Sequence, residues 1–170
     1  MMSTGEQIDP RRYLELVHAL AEGGNVKAQH NLGAMYLKGL GVPRDPAQAV
    51  AWFSRAAEGG DVFSLHNLGT LYLRGIGVAK DPEAASGCFK RAALLGDARS
   101  AHCLGALYYE GLGVPRDPAR AMIWLARAEP GVPEAFRAEV SQALELARSE
   151  LDEAALAYVE ARIPYPGEED

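Results

Sequence analysis

The strongest constraint on the fold of this chain is a repeat with a period of 36 residues. The phrase GLGVPRDPA occurs at Gly39–Ala47 and again, unchanged, at Gly111–Ala119, with a looser copy, GIGVAKDPE, midway at Gly75–Glu83. In rows of 36 residues, columns of leucine, glycine, tyrosine, valine, aspartate, proline and alanine align across three rows. A fixed period of this length is typical of stacked structural repeats, in which each unit packs against its neighbours.

Each row predicts two helices joined by a glycine-rich turn. Leu32 and Tyr36 have the spacing of one face of a helix, and Gly39 suits the left-handed residue that ends it. Asp45 and Pro46 then fit the N-cap and the first position of a second helix. The aspartate accepts free backbone N–H groups there, and proline lacks the donor that would be unpaired. The sequence therefore predicts an all-α fold.

Glycine also recurs inside the first helix of every row, at Gly33, Gly69 and Gly105. A glycine inside a helix weakens it by about 1 kcal/mol relative to alanine. We predict that these glycines face a column of small alanines and let the paired helices approach closely.

The period divides the chain into seven segments. The columns are lost after Ala128, but Pro133–Arg148 and Asp152–Ile163 keep helical spacing, with Phe136 and Leu146 among the apolar residues of the first. A stack of repeats needs an atypical unit to cover its last apolar face. The predicted segments are a flexible N-terminus (1–8), a half repeat (9–25), three repeats (26–61, 62–97 and 98–130), a C-terminal two-helix cap (131–164) and an acidic tail (165–170).

Composition is that of a folded protein without membrane spans, with 48% hydrophobic and 24% charged residues. No run of about 18 apolar residues occurs and the N-terminus lacks the apolar core of a secretory signal, so we expect a cytoplasmic protein. Residues 1–128 carry 14 Lys/Arg and 12 Asp/Glu, whereas residues 129–170 carry 3 and 11. The overall acidity argues against nucleic acid as a partner. We interpret the acidic end as a solvated surface, with a docking site for a basic partner as the alternative.

Motifs for catalysis and metal binding are absent from the sequence. It contains no G-x-x-x-x-G-K-[ST], H-E-x-x-H or G-x-S-x-G. Cys88 and Cys103 have no cysteine or histidine at ligand spacing, so we expect buried, inert thiols in a reducing compartment. We therefore expect no catalytic residue, no cofactor and no metal ion.

Two recurring columns carry polar side chains, and both are interpreted as consequences of the repeat. His30, His66 and His102 share one column, but packed helices lie about 8–10 Å apart and zinc–nitrogen bonds measure about 2 Å. These three histidines are therefore poorly placed to meet at one ion. Arg55, Arg91 and Arg127 lie near the ends of the second helices, where cations favour the helix dipole.

The run A-x-x-x-L-G-x-x-Y-x-x-G-x-G-V, followed by D-P, A-x-x-W and A-A-x-x-G, resembles the Sel1-like repeat, a relative of the tetratricopeptide repeat. Ala28–Gly60 matches most fully, Leu65–Gly96 has Cys88 in the tryptophan position, and Ala101–Ala128 lacks the usual glycine ending. The tetratricopeptide repeat is about 34 residues long, so the longer glycine-rich connection favours the Sel1-like repeat. The resemblance implies a right-handed α-solenoid of helix–turn–helix repeats.

The resemblance also implies a surface for a partner, because the first helices of the family line the inner curve of a superhelix. At about 100° per residue, the side of each first helix opposite Leu32 and Tyr36 faces that curve. Such a concave face suits an extended peptide or an acidic C-terminus bound by charge-assisted hydrogen bonds. The predicted partner-binding residues are Lys27, His30, Asn31, Ala34, Lys38, Phe63, His66, Asn67, Thr70, Arg74, Arg99, His102, Ala106, Tyr109 and Glu110.

The function predicted from these features is that of a non-catalytic adaptor, which binds another protein or a peptide segment through the concave face. We expect no nucleic-acid partner and no direct membrane insertion, and we favour a monomer. One alternative is a hydrolase of the penicillin-binding or β-lactamase-like Sel1 type. Those enzymes carry cysteines where this chain has Ala93 and Ala101, so this alternative has little support. The other is a regulatory subunit of a membrane-associated enzyme that docks through the acidic cap.

Overall fold

A computed structural model describes residues 9–163 of the chain, which form nine α-helices and one 3₁₀ turn at Glu129–Gly131. The segments predicted as a flexible N-terminus, 1–8, and an acidic tail, 165–170, lie outside the described residues, as does residue 164 of the predicted cap. The helices are α1 (Pro10–Glu22), α2 (Val26–Lys38), α3 (Pro46–Glu58), α4 (Val62–Arg74), α5 (Pro82–Leu94), α6 (Ala98–Glu110), α7 (Pro118–Ala128), α8 (Glu134–Ser149) and α9 (Glu153–Glu160).

The helices form a solenoid in which each helix from α1 to α7 packs against the next one along the chain, and α9 packs back against α7. The first helices of the three repeats, α2, α4 and α6, begin 36 residues apart, and so do the second helices, α3, α5 and α7. Helix α1 begins 36 residues before α3 and so occupies the position of a second helix. The predicted all-α solenoid of helix–turn–helix repeats is confirmed.

Each helix begins and ends at residues that the repeat supplies. Gly39, Gly75 and Gly111 end the first helices in the left-handed conformation, with φ of 73°, 67° and 73°. Asp45, Asp81 and Asp117 accept hydrogen bonds from the opening amides of the second helices, as predicted. The first helices have side-chain caps of the same kind, Asn25, Asp61 and Asp97, which the sequence analysis did not identify.

The recurring glycines inside the first helices mark close approach between helices, as predicted, but the side chains nearest to them are not those of alanines. A Cβ atom added at Gly33 would lie 2.8 Å from the Phe53 ring, and one added at Gly69 would lie 2.7 Å from the Phe89 ring. At Gly105 the added atom would lie 2.7 Å from Leu125 Cγ. The glycines therefore make room for large buried side chains of the paired helices, Phe53, Phe89 and Leu125, and not for small ones.

The C-terminal pair, α8 and α9, keeps the period after the sequence columns are lost. Helix α8 begins at Glu134, 36 residues after α6 begins at Ala98, and α9 begins at Glu153, within one residue of the same spacing. Val140 and Val159 are fully buried against the third repeat. Packing against α7 therefore maintains the helix positions without the sequence pattern. Phe136 and Leu146, which the sequence placed on the apolar side of α8, are instead 50% and 48% exposed.

Candidate functional site

The fifteen predicted partner-binding residues all lie on α2, α4 and α6, and none of them is buried. We call this set the first-helix face. Phe63 on α4 connects it across the three repeats, because its ring centroid lies 6.3 Å from that of His30 on α2. The Arg99 guanidinium on α6 lies 5.6 Å from the same Phe63 ring. Since Phe63 remains 58% exposed, the middle of the face presents an aromatic surface beside a cation.

A cavity of about 460 Å³ lies at the α1 end of the first-helix face. Asn31, Ala34 and Lys38 of the face line it together with four residues that the sequence analysis did not identify: Tyr13, Met35, Leu40 and Gly41. The lining is apolar except for the Asn31 amide, the Lys38 ammonium group and the Tyr13 hydroxyl, so the cavity suits an apolar side chain that has an acidic neighbour. The sequence signal that was missed is an apolar column in the turns, Leu40, Ile76 and Leu112.

The histidine column joins successive repeats. His30 Nδ1 lies 2.9 Å from both Ser64 Oγ and Asp61 Oδ2, which belong to the opening turn of α4. One repeat later, His66 Nδ1 lies 2.8 Å from Ser100 Oγ and 3.3 Å from Asp97 Oδ2, at the start of α6. We call each His–Asp–Ser group an inter-repeat clamp. The interpretation of the histidines as features of the repeat is consistent with these contacts.

The clamps contain the residue types of a Ser-His-Asp nucleophilic triad but not its geometry. In such a triad the aspartate bonds one ring nitrogen of histidine and the serine bonds the other. Here both partners meet the same atom, Nδ1, and the Ser100 hydroxyl donates to Asp97 Oδ2 at 2.6 Å. Ser64 and Ser100 are also fully buried. The arrangement therefore serves packing and offers no accessible nucleophile.

Burial and hydrogen bonding set the charge states in the second clamp. Burial lowers the pKa of His66, and Arg99 lowers it further, while Asp97 acts in the opposite direction. Burial alone would raise the pKa of Asp97, but the hydrogen bond from Ser100 and the charges of Arg99 and His66 lower it. The favoured state at neutral pH is therefore a neutral imidazole whose Nδ1–H donates to Ser100 Oγ, beside an ionised carboxylate.

The third repeat ends differently. The clamp positions that would serve His102 hold Pro133 and Phe136, so His102 has no counterpart of the serine and aspartate. Instead, the Tyr109 hydroxyl donates to Glu150 Oε1 at 2.8 Å, and Arg116 Nη2 lies 2.6 Å from Glu150 Oε2. These bonds tie α6 and the following turn to the end of α8.

Several predicted face residues thus use polar groups within the fold. His30 and His66 bond the next repeat, Tyr109 bonds Glu150, and the Thr70 hydroxyl donates to the His66 carbonyl oxygen at 3.1 Å. Among the remaining members, Lys27, Lys38 and Arg74 are exposed cations.

The arginine column also acts within the fold. The Arg55 guanidinium lies 4.6 Å from the Trp52 ring centroid and 3.4 Å from Glu22 at the end of α1. Arg91 Nη2 donates to the carbonyl oxygen of Ala57, at the end of α3, at 3.3 Å. Arg127 donates to the Arg162 carbonyl oxygen, just after α9, at 3.1 Å. Each arginine therefore reaches the end of a neighbouring helix of the same type, and this fits the predicted structural role.

The remaining chemically active groups form no site. Within residues 9–163, no three His, Cys, Asp or Glu side chains gather where a metal ion would bind. Cys88 and Cys103 are unpaired and half-buried rather than fully buried. Burial raises the pKa of both thiols, that of Cys103 to about 11, so both stay protonated at neutral pH and are weak nucleophiles. In the same part of the chain, no helix has the length and apolar character needed to cross a bilayer.

Solved structures of other proteins share the fold, and two of them are described here. A Sel1 repeat protein from Oxalobacter formigenes is 32% identical with a TM-score of 0.69, and the match covers 77% of this chain and 98% of that one. The protein c5321, a protective antigen present in uropathogenic Escherichia coli strains and displaying an SLR fold, is 30% identical with a TM-score of 0.71. That match covers 89% of this chain but only 36% of c5321. No curated protein sequence matches the chain.

The family model described as Sel1 repeat matches three consecutive segments, residues 26–61, 62–97 and 98–129. Each segment contains one first helix and one second helix of the solenoid. Sel1 repeat proteins are generally protein-interaction scaffolds. With three repeats matched over more than half its length, the chain belongs to the Sel1 repeat family.

Proposed function

We propose that this protein is a non-catalytic adaptor that binds an extended, acidic segment of a partner protein along the first-helix face. The observation that carries the proposal is the charge of that face, which has Lys27, Lys38, Arg74 and Arg99 against the single carboxylate of Glu110. The chain as a whole has a net charge of −6, so this cationic surface is a local feature. It favours an acidic ligand.

The dimensions suit a short peptide. The face crosses three successive first helices that contact one another through side chains, His30 to Ser64 and His66 to Ser100. With about 10 Å from one first helix to the next, the face spans about 20 Å, which about six residues of extended chain would cover at roughly 3.3 Å per residue. The lysines and arginines offer charge-assisted hydrogen bonds to carboxylates, and the exposed Phe63 ring offers an apolar contact. The cavity beside Lys38 would take an apolar side chain at one end of the peptide. That the face is concave, and that the protein is cytoplasmic, remain predictions.

The test is affinity purification with mass spectrometry on three forms of the chain. Lys38→Glu combined with Arg74→Glu reverses two exposed cations of the face, and neither side chain takes part in a clamp. The control, Lys80→Glu combined with Lys90→Glu, makes the same change of charge on a turn and a second helix. We expect one protein to be recovered with the native chain and the control, to be lost with the face variant, and to elute as ionic strength rises.

A follow-up titration with an acidic six-residue peptide from the recovered protein measures how much affinity the face variant loses. Two charge reversals are expected to weaken binding at least about tenfold, equivalent to about 1.4 kcal/mol. Equal recovery with all three forms would contradict the proposed face. Robust turnover of nitrocefin by the purified native chain would contradict the proposed absence of catalysis and favour the hydrolase alternative.

A further inference from the structure

The acidic tail predicted at residues 165–170 has the composition of a ligand for the first-helix face. Its sequence, YPGEED, has a carboxylate on each of its last three residues and contains no cation. It is six residues long, the length of extended chain that spans the face. Proline at positions 164 and 166 favours an extended backbone in the residue before each of them. The chain therefore contains a segment of the kind that the proposed function requires in a partner.

The tail begins at the same edge of the stack as the start of α6. Ile163 packs against the core of the third repeat, and the Arg162 carbonyl oxygen accepts a hydrogen bond of 3.1 Å from Arg127, in the last turn of α7. The turn Glu129–Gly131 that follows α7 passes beside α6, because a Cβ atom added at Gly131 would lie 2.6 Å from Ala98 Cβ. Ala98 is the first residue of α6. One helix end and one turn therefore separate the start of the tail from the first-helix face.

The tail is long enough to reach Arg99, in the first turn of α6. Residues 164–170 span up to about 23 Å when extended, at about 3.3 Å per residue. Packed helices lie about 8–10 Å apart, and the route has two such steps, from α9 to α7 and from α7 to α6. The carboxylates of residues 168–170 therefore reach α6, whereas the cavity at the α1 end of the face lies out of range.

Arg99 has hydrogen-bonding capacity left for these carboxylates. Its side chain is exposed, and its Nε lies 3.3 Å from Asp97 Oδ1. Its two Nη groups make no hydrogen bond to any residue between 9 and 163. The exposed Phe63 ring beside it adds an apolar surface at 5.6 Å. Glu110, the carboxylate of the face, lies at the other end of α6, about 16 Å away at 1.5 Å per residue.

Other cations along this route are already engaged. Arg137, in the first turn of α8, lies 2.8 Å from Glu134, and the Arg162 guanidinium lies 3.7 Å from the centroid of the Tyr158 ring. The remaining cations of the first-helix face lie on α2 and at the end of α4, farther from the tail. Charge and distance together therefore select Arg99 as the group that the tail meets.

We propose that the acidic tail binds the α6 end of the first-helix face within the same chain and competes there with the partner segment. The inference rests on the proposed function, because it gives that binding surface an internal competitor. A tethered segment acts at an effective concentration of the order of mM, so a few charge-assisted hydrogen bonds are enough to fill the site. A tail bound for about two thirds of the time would raise the apparent dissociation constant of a ligand about threefold.

Isothermal titration calorimetry on the full chain tests the competition, with the acetylated and amidated peptide YPGEED as the probe. The tail-neutral variant carries Glu168→Gln, Glu169→Gln and Asp170→Asn, so the length of the chain is unchanged. We expect this variant to bind the probe at least about threefold more tightly than the native chain. A matched control removes three exposed carboxylates from α3, α5 and α9 and should bind the probe like the native chain. Its changes are Glu58→Gln, Glu83→Gln and Glu153→Gln.

Amide signals in nuclear magnetic resonance spectra of the full chain locate the contact. Between the native chain and the tail-neutral variant, we expect the signals of Phe63 and Arg99 to shift. The signal of Lys27 on α2, which the tail does not reach, should stay in place. Circular dichroism melting checks that each variant is folded.

The possible failures are separable from failure of the proposed function. Equal affinity of the native chain and the tail-neutral variant for the probe would overturn the internal competition, as would a probe that binds neither of them. A mass in sedimentation velocity that rises with protein concentration only when the tail is charged would show binding to a second copy and overturn the contact within one chain. Affinity purification with Lys38→Glu and Arg74→Glu judges the proposed function separately, because the tail reaches neither residue.

Discussion

At the scale of single residues, two helical glycines in the second repeat have opposite surroundings. Gly69 is buried under the Phe89 ring, whereas a Cβ atom added at Gly87 on α5 would meet nothing within 4 Å. We expect Gly69→Leu to lower the melting temperature by several degrees, because over-packing costs about 1–3 kcal/mol. Gly87→Ala should raise stability by up to about 1 kcal/mol, because alanine favours the helix.

Thermal and urea unfolding followed by circular dichroism would measure both changes on the same chain. The two variants remove glycine from a helix interior, so their intrinsic propensity effects have the same sign and only the space around the added atoms differs. If Gly69→Leu melted like the native protein, close approach between α4 and α5 would not be the reason for glycine at that position.

The glycine column also shows what the sequence could predict for single residues. Three copies at one position indicated a packing constraint, and the structure confirms the close approach. The predicted facing column of alanines was wrong, because a period tells which residues are equivalent but not which side chain lies opposite each of them. Phe53, Phe89 and Leu125 form the facing column, and that pairing depends on how two helices are rotated against each other.

At the scale of helices, the inter-repeat clamp links stability to pH. The pKa of His66 is lowered from its ordinary value of 6.5 mainly by burial, so the unfolded chain binds a proton more readily than the folded chain. The stability that depends on neutral His66 is present above pH 6.5 and is lost as the pH falls below that value toward the folded-state pKa. Asp97, whose pKa is below its ordinary 3.8, stays ionised throughout this window.

We therefore expect the melting temperature of the native protein to fall between about pH 7.5 and pH 5.5, and to fall less in His66→Gln. Glutamine keeps a side-chain N–H donor for Ser100 but does not titrate. Differential scanning calorimetry at several pH values, at constant ionic strength, measures the two slopes. Identical slopes would show that His66 does not gain a proton on unfolding in this range.

The clamp was not predicted from the sequence, although its components were present in the repeat. His30 and His66 formed a recognised column, but Ser64 and Ser100 have Ala28 in the first row and did not stand out. The bonds join residues 31 and 34 positions apart, so they run between repeats and not within one. Helix bounds were easier to predict, since caps such as Asp45 act on the residues immediately after them.

At the scale of the whole molecule, α8 and α9 close the apolar end of the stack. Val140 on α8 is fully buried, whereas Leu146 on the same helix is 48% exposed. We expect Val140→Asp to lower the free energy of unfolding by about 3 kcal/mol or more, because an unpaired carboxylate is placed in the core. Leu146→Asp should change it by less than about 0.5 kcal/mol. Urea unfolding compares the two, and equal effects would show that α8 does not seal the third repeat through Val140.

The overall architecture was the most predictable level of the structure, because the same 36-residue signal occurs three times in the sequence. The two ends of the stack formed by residues 9–163 were less predictable, because the outward faces of α1, α8 and α9 do not follow the pattern of an internal repeat. Tyr13, Leu16 and Leu20 fit an ordinary apolar pattern for a helix, and only the position of α1 at the start of the stack leaves them exposed.

Because the 36-residue period continues into α8, the number of repeats could change without a change in the helices at the two ends of the stack. Because α8 begins where the first helix of a fourth repeat would begin, a further unit of 36 residues inserted between two repeats would meet equivalent surfaces on both sides. The first-helix face, the proposed binding surface, would then grow by about one helix spacing per added repeat, roughly 8–10 Å, while α1 and the closing pair stayed unchanged. Under the proposed function, the number of repeats would therefore set the length of the peptide that binds, while the helices at both ends stay the same.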